Sequence, residues 1–234
     1  MSPLPRRPTK LRERTIRRVD ELLARRYGGR TVHPGDPLDG LIRTILSQNT
    51  TDKTSLPAFE RLKARFSRWE QALAATPSEI ADAIHEAGLA PTKSRRIHDL
   101  LAQLKAEHGK LSLSHVCGME RGEAERYLSS FKGVGPKTVA IVLLFDCGMP
   151  FFPVDTHVHR VTTRLGWLPE GTTPEQAHDL LTEWIPGDLH VQLHLNLVQH
   201  GRETCHARRP ACPKCPLRRL CQYYSTARET GGHH

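Results

Sequence analysis

The sequence predicts an all-α protein, on three observations. Apolar residues recur three or four positions apart, as at Ile16, Val19, Leu22 and Leu23 and again at Leu38, Leu41, Ile42 and Ile45, which puts them on one face of a helix, whereas alternating strand-like runs are short. Two helix starts are written into the chain, Thr76-Pro77-Ser78-Glu79 and Thr173-Pro174-Glu175-Gln176. Each sets a threonine N-cap before a proline at the first helical position and an acidic or amide side chain at the third. Glycines that can take the left-handed conformation after a helix stand at Gly28, Gly88, Gly109, Gly148 and Gly201. About ten short helices fit between these marks.

At 234 residues the chain has room for one large domain or two small ones. Its 38% hydrophobic and 25% charged residues exclude a disordered or fibrous chain. No window reaches the ~18 uninterrupted apolar residues of a membrane span, and Met1 to Arg30 is basic without the apolar stretch of a secretion signal. A cytoplasmic protein is expected, nucleoid-associated if bacterial. Lysine and arginine total 34 against 25 acidic residues, a net charge of +9 that favours a polyanionic partner, nucleic acid first. The first ten residues read as a loose basic tail and Gly231-Gly232-His233-His234 as a trimmed tag, so both are set outside the fold. A composition change at Met149-Pro150-Phe151-Phe152-Pro153 marks a boundary between two helical layers.

Four of the six cysteines, Cys205, Cys212, Cys215 and Cys221, form C-x6-C-x2-C-x5-C within 17 residues. Pro210, Pro213 and Pro216 keep the intervening segments in tight loops, so four thiolates can converge. In a reducing compartment this points to metal rather than disulfides. A zinc ribbon prefers two CxxC knuckles and this run has one. Iron–sulfur ligation by four cysteines is compatible, and spacing alone leaves zinc and iron–sulfur both open. Four sulfurs would close every coordination position, leaving no open site for substrate and making the group a staple for the C-terminal segment. His206 beside the first cysteine is then surplus. Cys117 and Cys147 read as small core residues. Arg208 and Arg209, in the loop between the first two cysteines, face phosphates or simply solvent.

Tyr127 to Ala140 reads as a helix end, a Gly133-Val134-Gly135 turn, and a new helix from Pro136, a helix-hairpin-helix pattern. Glycines there permit positive φ and close approach of a phosphate, while the exposed N–H groups and dipole of the new helix attract it. Any tight helix connection also uses glycine, but Lys132 and the basic balance favour nucleic acid. Lys137 lies in the first turn of the new helix, where the positive end of the dipole disfavours an ammonium. A free lysine is only about one part in a thousand neutral near pH 7.4, so a nucleophilic lysine needs such help; an exposed phosphate contact is the plainer role. Asp155, eighteen residues on, offers a partner carboxylate and also suits an N-cap. His157, His159, His190 and His194 lack the glutamate of a zinc helix and read as packing or phosphate contacts.

Together, Gly133-Val134-Gly135-Pro136-Lys137-Thr138, Val154-Asp155-Thr156-His157 and the four-cysteine run resemble the endonuclease III family of DNA glycosylases, from about Arg12 to Gln222. The resemblance implies a [4Fe-4S] cluster on Cys205, Cys212, Cys215 and Cys221. It implies two helical domains with a DNA-binding cleft between them: a six-helix barrel with the hairpin at 30–149, and a cluster domain from 11–29 plus 150–225, with flexible tails at 1–10 and 226–234. It assigns the attacking amine to Lys137 and the assisting carboxylate to Asp155. DNA contacts implied are Lys132, Gly133, Val134, Gly135, His157, Arg208 and Arg209, with two loops filling the gap left by an extruded nucleotide.

Those loops resemble Leu46-Ser47-Gln48-Asn49-Thr50-Thr51-Asp52 and Gly88-Leu89-Ala90-Pro91-Thr92-Lys93. Asn49 stands where the family's inserting glutamine aligns, with Gln48 one place earlier, a departure that bears on base preference. Leu89 is the apolar wedge, or else a core residue. The implied activity is a base excision repair glycosylase and AP lyase acting on oxidised pyrimidines in duplex DNA as a monomer. The alternatives are a mismatch-specific thymine or uracil glycosylase, a non-catalytic iron–sulfur DNA-binding protein, and a zinc-stapled DNA-binding module.

Overall fold

The computed structural model describes residues 7–9 and 11–229, the side chains of Asp52 and of 227–229 excepted. Among them are helices and short 3₁₀ turns and no strand, as the periodicity predicts. The α-helices are α1 (Glu13–Tyr27), α2 (Pro37–Ser47), α3 (Asp52–Arg65), α4 (Trp69–Ala74), α5 (Pro77–Ala83), α6 (Ala90–His108), α7 (Arg121–Ser129), α8 (Pro136–Phe145), α9 (Thr156–Leu165), α10 (Pro174–Trp184), α11 (His190–Glu203) and α12 (Gln222–Glu229). Residues 226–229, expected in a loose tail, are instead the end of α12. Of the expected tails, Met1 to Arg6, Lys10 and 230–234 lie outside the described residues.

The chain packs as two units. Residues 33–149 form a central unit with α2 to α8, and the described residues before and after form a terminal unit with α1 and α9 to α12. In the central unit α2 starts where Asp36 accepts from the amides of Leu38 and Asp39. It buries Leu38, Leu41, Ile42, Ile45 and Leu46 against α3 and α8. The capping box predicted at Thr76 is present, Glu79 reaching back to the Thr76 amide at 2.8 Å. α6 stops at Gly109, whose φ of +68° is the left-handed conformation that glycine adopts without strain.

In the terminal unit α1 packs along α11 and α11 along α9. Ile16, Val19 and Leu23 join Val158, Val161, Leu193 and Leu197 in one apolar cluster. The second predicted box, Thr173 with Gln176, starts α10. Gly201 is a correction to the sequence reading, because it lies inside α11 and stops nothing. A Cβ there would come within 2.6 Å of the His157 Cβ, so this glycine lets α9 and α11 approach. A second correction concerns Cys117 and Cys147. They are partly buried and joined in a disulfide, which ties the 3₁₀ turn Ser114–Gly118 to the segment after α8.

Asp146 is the buried carboxylate of the central unit, 5% exposed. Gly35 and Gly40 make room for it, since a Cβ on Gly40 would overlap the carboxylate, and Arg43 approaches Oδ1 at 3.4 Å. Burial pushes its pKa up to about 6; Arg43 opposes the shift, and Asp36 and Asp39 add to it. The folded state therefore holds this proton more tightly than the unfolded chain, so the cost of burying the group is absent at or below pH 4 and grows as the pH rises through 6. Asp146→Asn keeps the shape and removes the ionisation. It is expected to be more stable than wild type by about 2 kcal/mol at pH 8, with the gain shrinking to nothing near pH 4, as read from urea melts at the two pH values.

Candidate functional site

In the central unit α7 ends, the chain turns through Phe131 to Gly135, and α8 begins at Pro136. The Val134 amide closes the turn onto the Phe131 carbonyl at 3.1 Å. Phe131 and Val134 are buried, whereas Lys132, Gly133, Gly135, Pro136 and Lys137 are exposed. Gly133 has φ of +81°. Gly135 does not, with φ −100° and ψ 177°, and open space where a side chain would point. No side chain caps α8, and the N–H groups of Gly133 and Gly135 make no backbone hydrogen bond among the described residues. The turn thus presents unspent donors at the positive end of a helix, flanked by two cations, an arrangement that suits a phosphate.

The two loops expected to read DNA lie in the same unit. Asn49 is exposed at φ +54° and makes no hydrogen bond among the described residues. Leu89 is 58% exposed at φ +51°, which removes the core-packing reading of this residue. Gln48 differs from expectation, because both ends of its amide are used inside the protein. Its Oε1 accepts from Arg96 Nη1 at 2.9 Å and its Nε2 donates to the Gly133 carbonyl at 3.0 Å and to Thr138 Oγ1 at 3.3 Å.

Beneath the loops Lys93 is 2% exposed, its Nζ donating to the carbonyls of Leu46 at 2.7 Å and Ala87 at 2.8 Å. Burial, with Arg96 nearby, pushes its pKa down. Sequence reasoning missed Lys93 and Arg96. Only their place on α6, just behind Leu89, could have drawn attention to them.

In the terminal unit Asp155 is the N-cap of α9, accepting from the Val158 amide at 2.7 Å, so the capping role read from sequence is real and Oδ1 is committed to it. His157 packs on Gly201 and accepts from Arg160 Nη2 at 3.0 Å. His159, His190 and His194 bond the carbonyls of Thr172, Ile185 and Pro153, which makes them packing residues.

Cys205, Cys212, Cys215 and Cys221 are free thiols around one pocket. Burial pushes the Cys215 thiol up to about 11 and those of Cys212 and Cys221 upward too, with neighbouring thiols adding to each. Among the described residues no three His, Cys, Asp or Glu side chains converge on the position of a single ion. Two residues of α9 organise the segment carrying the first cysteine. Arg164 donates to Cys205 Sγ at 3.2 Å and to the carbonyls of His206 and Ala207, and Arg160 donates to those of Gly201 and Cys205. Their four-residue spacing was the signal in the sequence. His200, whose burial lowers its pKa to about 4, is a neutral imidazole between Tyr27 and Cys215. Arg208 and Arg209 are exposed, Arg209 at φ +52°.

Residues 42–187 match the family model described as HhH-GPD superfamily base excision DNA repair protein. A candidate DNA glycosylase of Arabidopsis thaliana is 42% identical over 165 residues, 70% of this chain and 56% of that protein, so the chain spans little more than half the length of this relative. Endonuclease III of Thermotoga maritima is 33% identical over 189 residues, 81% of this chain and 84% of that enzyme. Among solved structures, endonuclease III in a non-covalent complex with DNA matches with a TM-score of 0.77 at 27% identity, covering 93% of this chain and 99% of that one.

The two hairpin glycines separate by their backbones. Gly133→Ala forces a side chain into a positive-φ position where its Cβ would lie 2.9 Å from the Arg96 guanidinium, and is expected to destabilise by about 1–2 kcal/mol. Gly135→Ser puts a good N-cap into extended backbone and is expected to stay within about 0.5 kcal/mol of wild type. Urea denaturation of both variants checks the contrast.

Proposed function

The chain belongs to the HhH-GPD superfamily of base excision DNA repair proteins and is an endonuclease III-like DNA glycosylase; from that premise we propose that it is bifunctional, releasing oxidised pyrimidines from duplex DNA and then nicking the strand as an AP lyase. The observation that carries the reading is Lys137, an exposed amine directly behind a glycine hairpin with unspent amides. The hairpin amides and Lys132 hold the backbone phosphates, and the sugar comes to the amine.

The lone pair of neutral Lys137 attacks C1′. The bond to the base breaks with its electron pair leaving on the base, which takes up a proton, and the nitrogen sheds one. The sugar ring then opens to a protonated Schiff base, whose positive charge makes the 2′ hydrogen acidic. Loss of that proton sends electrons toward C3′, and the 3′ phosphate departs. Water releases the lysine and leaves an unsaturated aldehyde on the 5′ fragment. Asp155 stabilises positive charge developing at the sugar or takes a proton from the lysine, through the carboxylate oxygen that does not cap α9. No dissociable cofactor takes part in these steps.

The four thiols fit a [4Fe-4S] cluster: they are unpaired and they frame one pocket. Bound there, the cluster would supply cross-linking of the C-terminal segment, with Cys205, Cys212, Cys215 and Cys221 as ligands held as thiolates. Arg164 keeps the first of them in place, while Arg208 and Arg209 in the same loop face phosphate.

Borohydride trapping tests the reading, on duplexes holding thymine glycol, dihydrouracil, a T·G mismatch or an abasic site. Wild type is expected to form a covalent adduct with the oxidised pyrimidines and the abasic site, and Lys137→Ala to form none. Asp155→Asn keeps an equally good cap and is expected to lose about a hundredfold in rate. Free base without an adduct would return the protein to the hydrolytic mismatch enzymes. Gly135→Ser is expected to weaken DNA binding about tenfold, at unchanged stability, by holding a phosphate away from the hairpin amides.

A further inference from the structure

Within the central unit one side-chain amide joins three segments that are distant in sequence. Gln48 leaves the end of α2, Arg96 stands in the second turn of α6, and the Gly133 carbonyl and Thr138 hydroxyl belong to the hairpin and α8. The orientation of the amide is forced, since Arg96 only donates and the Gly133 carbonyl only accepts. Gly133 serves the same link, because a side chain on it would strike the Arg96 guanidinium at 2.9 Å. The residues to either side are the free ones. Asn49 follows Gln48 directly, exposed at φ +54°, and exposed Lys137 precedes the buried Thr138. Arg96 also belongs to the helix whose N-cap is Leu89.

We propose that Gln48 and Arg96 form a positioning strut that fixes the base-reading loops against the hairpin, so that recognition of a lesion by Asn49 and Leu89 is registered to the attack by Lys137. The proposal rests on the glycosylase reading above and gives Gln48 a role other than direct insertion into DNA. Lys93 anchors the root of the same loop separately, through Leu46 and Ala87. Loss of the strut therefore frees the tip of the loop without unfolding the unit. Lys137 itself sits on α8, which packs against α2 and α7 independently of the strut. The consequence is selective: release of a base, which needs the loops in register, suffers, whereas cleavage at a preformed abasic site, which has no base to read, is spared.

The test uses the full chain and the variants Gln48→Met, Arg96→Met and the double variant. Each is followed under single turnover on the pyrimidine lesion wild type releases best and on an abasic duplex, with thermal melts alongside. Each single variant is expected to lose at least about tenfold in base release while abasic cleavage stays within about threefold. The double variant is expected to be no worse than the poorer single, because the two residues act as one unit. Gln48→Asn, whose shorter amide cannot span from α2 to the hairpin, is expected to behave like Gln48→Met.

Equal loss on both substrates in step with a lowered melting temperature would overturn the strut in favour of a merely structural role. So would wild-type base release by Gln48→Met, or single losses that multiply in the double variant. A different result marks failure of the glycosylase reading itself: wild type then gives neither base release nor an adduct on any duplex, and the strut falls with it. If base is released without a Lys137-dependent adduct, only the lysine chemistry is lost. The strut is then overturned if the variants release base as wild type does or only in step with melting.

Discussion

Every helix end leaves backbone groups without partners, and a protein built of short helices has many ends. Most of this structure can be followed by asking what satisfies each one. Asp36, Thr76, Asp155 and Thr173 cap the starts of α2, α5, α9 and α10 with their own oxygens. Ends that no local residue can reach are met by long cationic side chains from elsewhere: Lys93 meets the last turn of α2 and the 3₁₀ turn at Ala87, and Arg160 and Arg164 meet the end of α11 and the loop that follows. The start of α8 is one of several that no side chain caps, with those of α1, α3, α6, α7 and α11, and it is the one that follows the glycine hairpin. It has no side-chain cap, its preceding amides are unspent, and the surrounding residues are exposed. An open helix start behind a glycine turn, with Lys132 and Lys137 on either side, suits an outside anion.

The same constraint explains what could be read from sequence. A cap is local: Thr-Pro-x-Glu or Thr-Pro-x-Gln contains all the partners it needs, and both boxes are legible without a structure. The hairpin glycines and the four-cysteine run are likewise compact patterns. Gly201 misled because glycine serves two purposes that sequence does not distinguish, ending a helix or admitting a neighbour, and only the approach of His157 shows which. Cys117 and Cys147 are thirty residues apart, and their pairing depends on where the 3₁₀ turn after α6 lies against the end of α8. Lys93 was invisible for a related reason. An exposed lysine is the ordinary expectation, and its two carbonyl partners come from a helix and a turn that the chain brings together only on folding.

Arginine does two different jobs, although the chain's positive balance looks uniform in sequence. In the terminal unit Arg160 and Arg164 spend their donors inward, on carbonyls and on the sulfur of Cys205, so their charge orders the cysteine loop. Arg208 and Arg209 in that loop remain outward. Net charge alone is an argument about partners, not about fold, and here a sizeable part of it is structural. The cations left for a phosphate backbone are the exposed remainder, Lys132 and Lys137 beside the hairpin among them.

Gln48 and Asn49 show how one position along the chain changes what an amide can do. At Gln48 the backbone is extended, φ −60° and ψ 128°, and the side chain turns inward to Arg96 and the hairpin. At Asn49 the backbone enters the left-handed region, which asparagine tolerates better than most residues, and the side chain is released outward. A glutamine at 49 would be longer but less at ease in that conformation, and an asparagine at 48 would be too short to reach Gly133. The order Gln-Asn thus satisfies two requirements at once, a long amide to tie the loop down and a short one at its strained apex. Gln48 and Asn49 are therefore a pair of linked choices, in which the longer amide, bonded to Arg96 and the hairpin, holds its exposed neighbour in place.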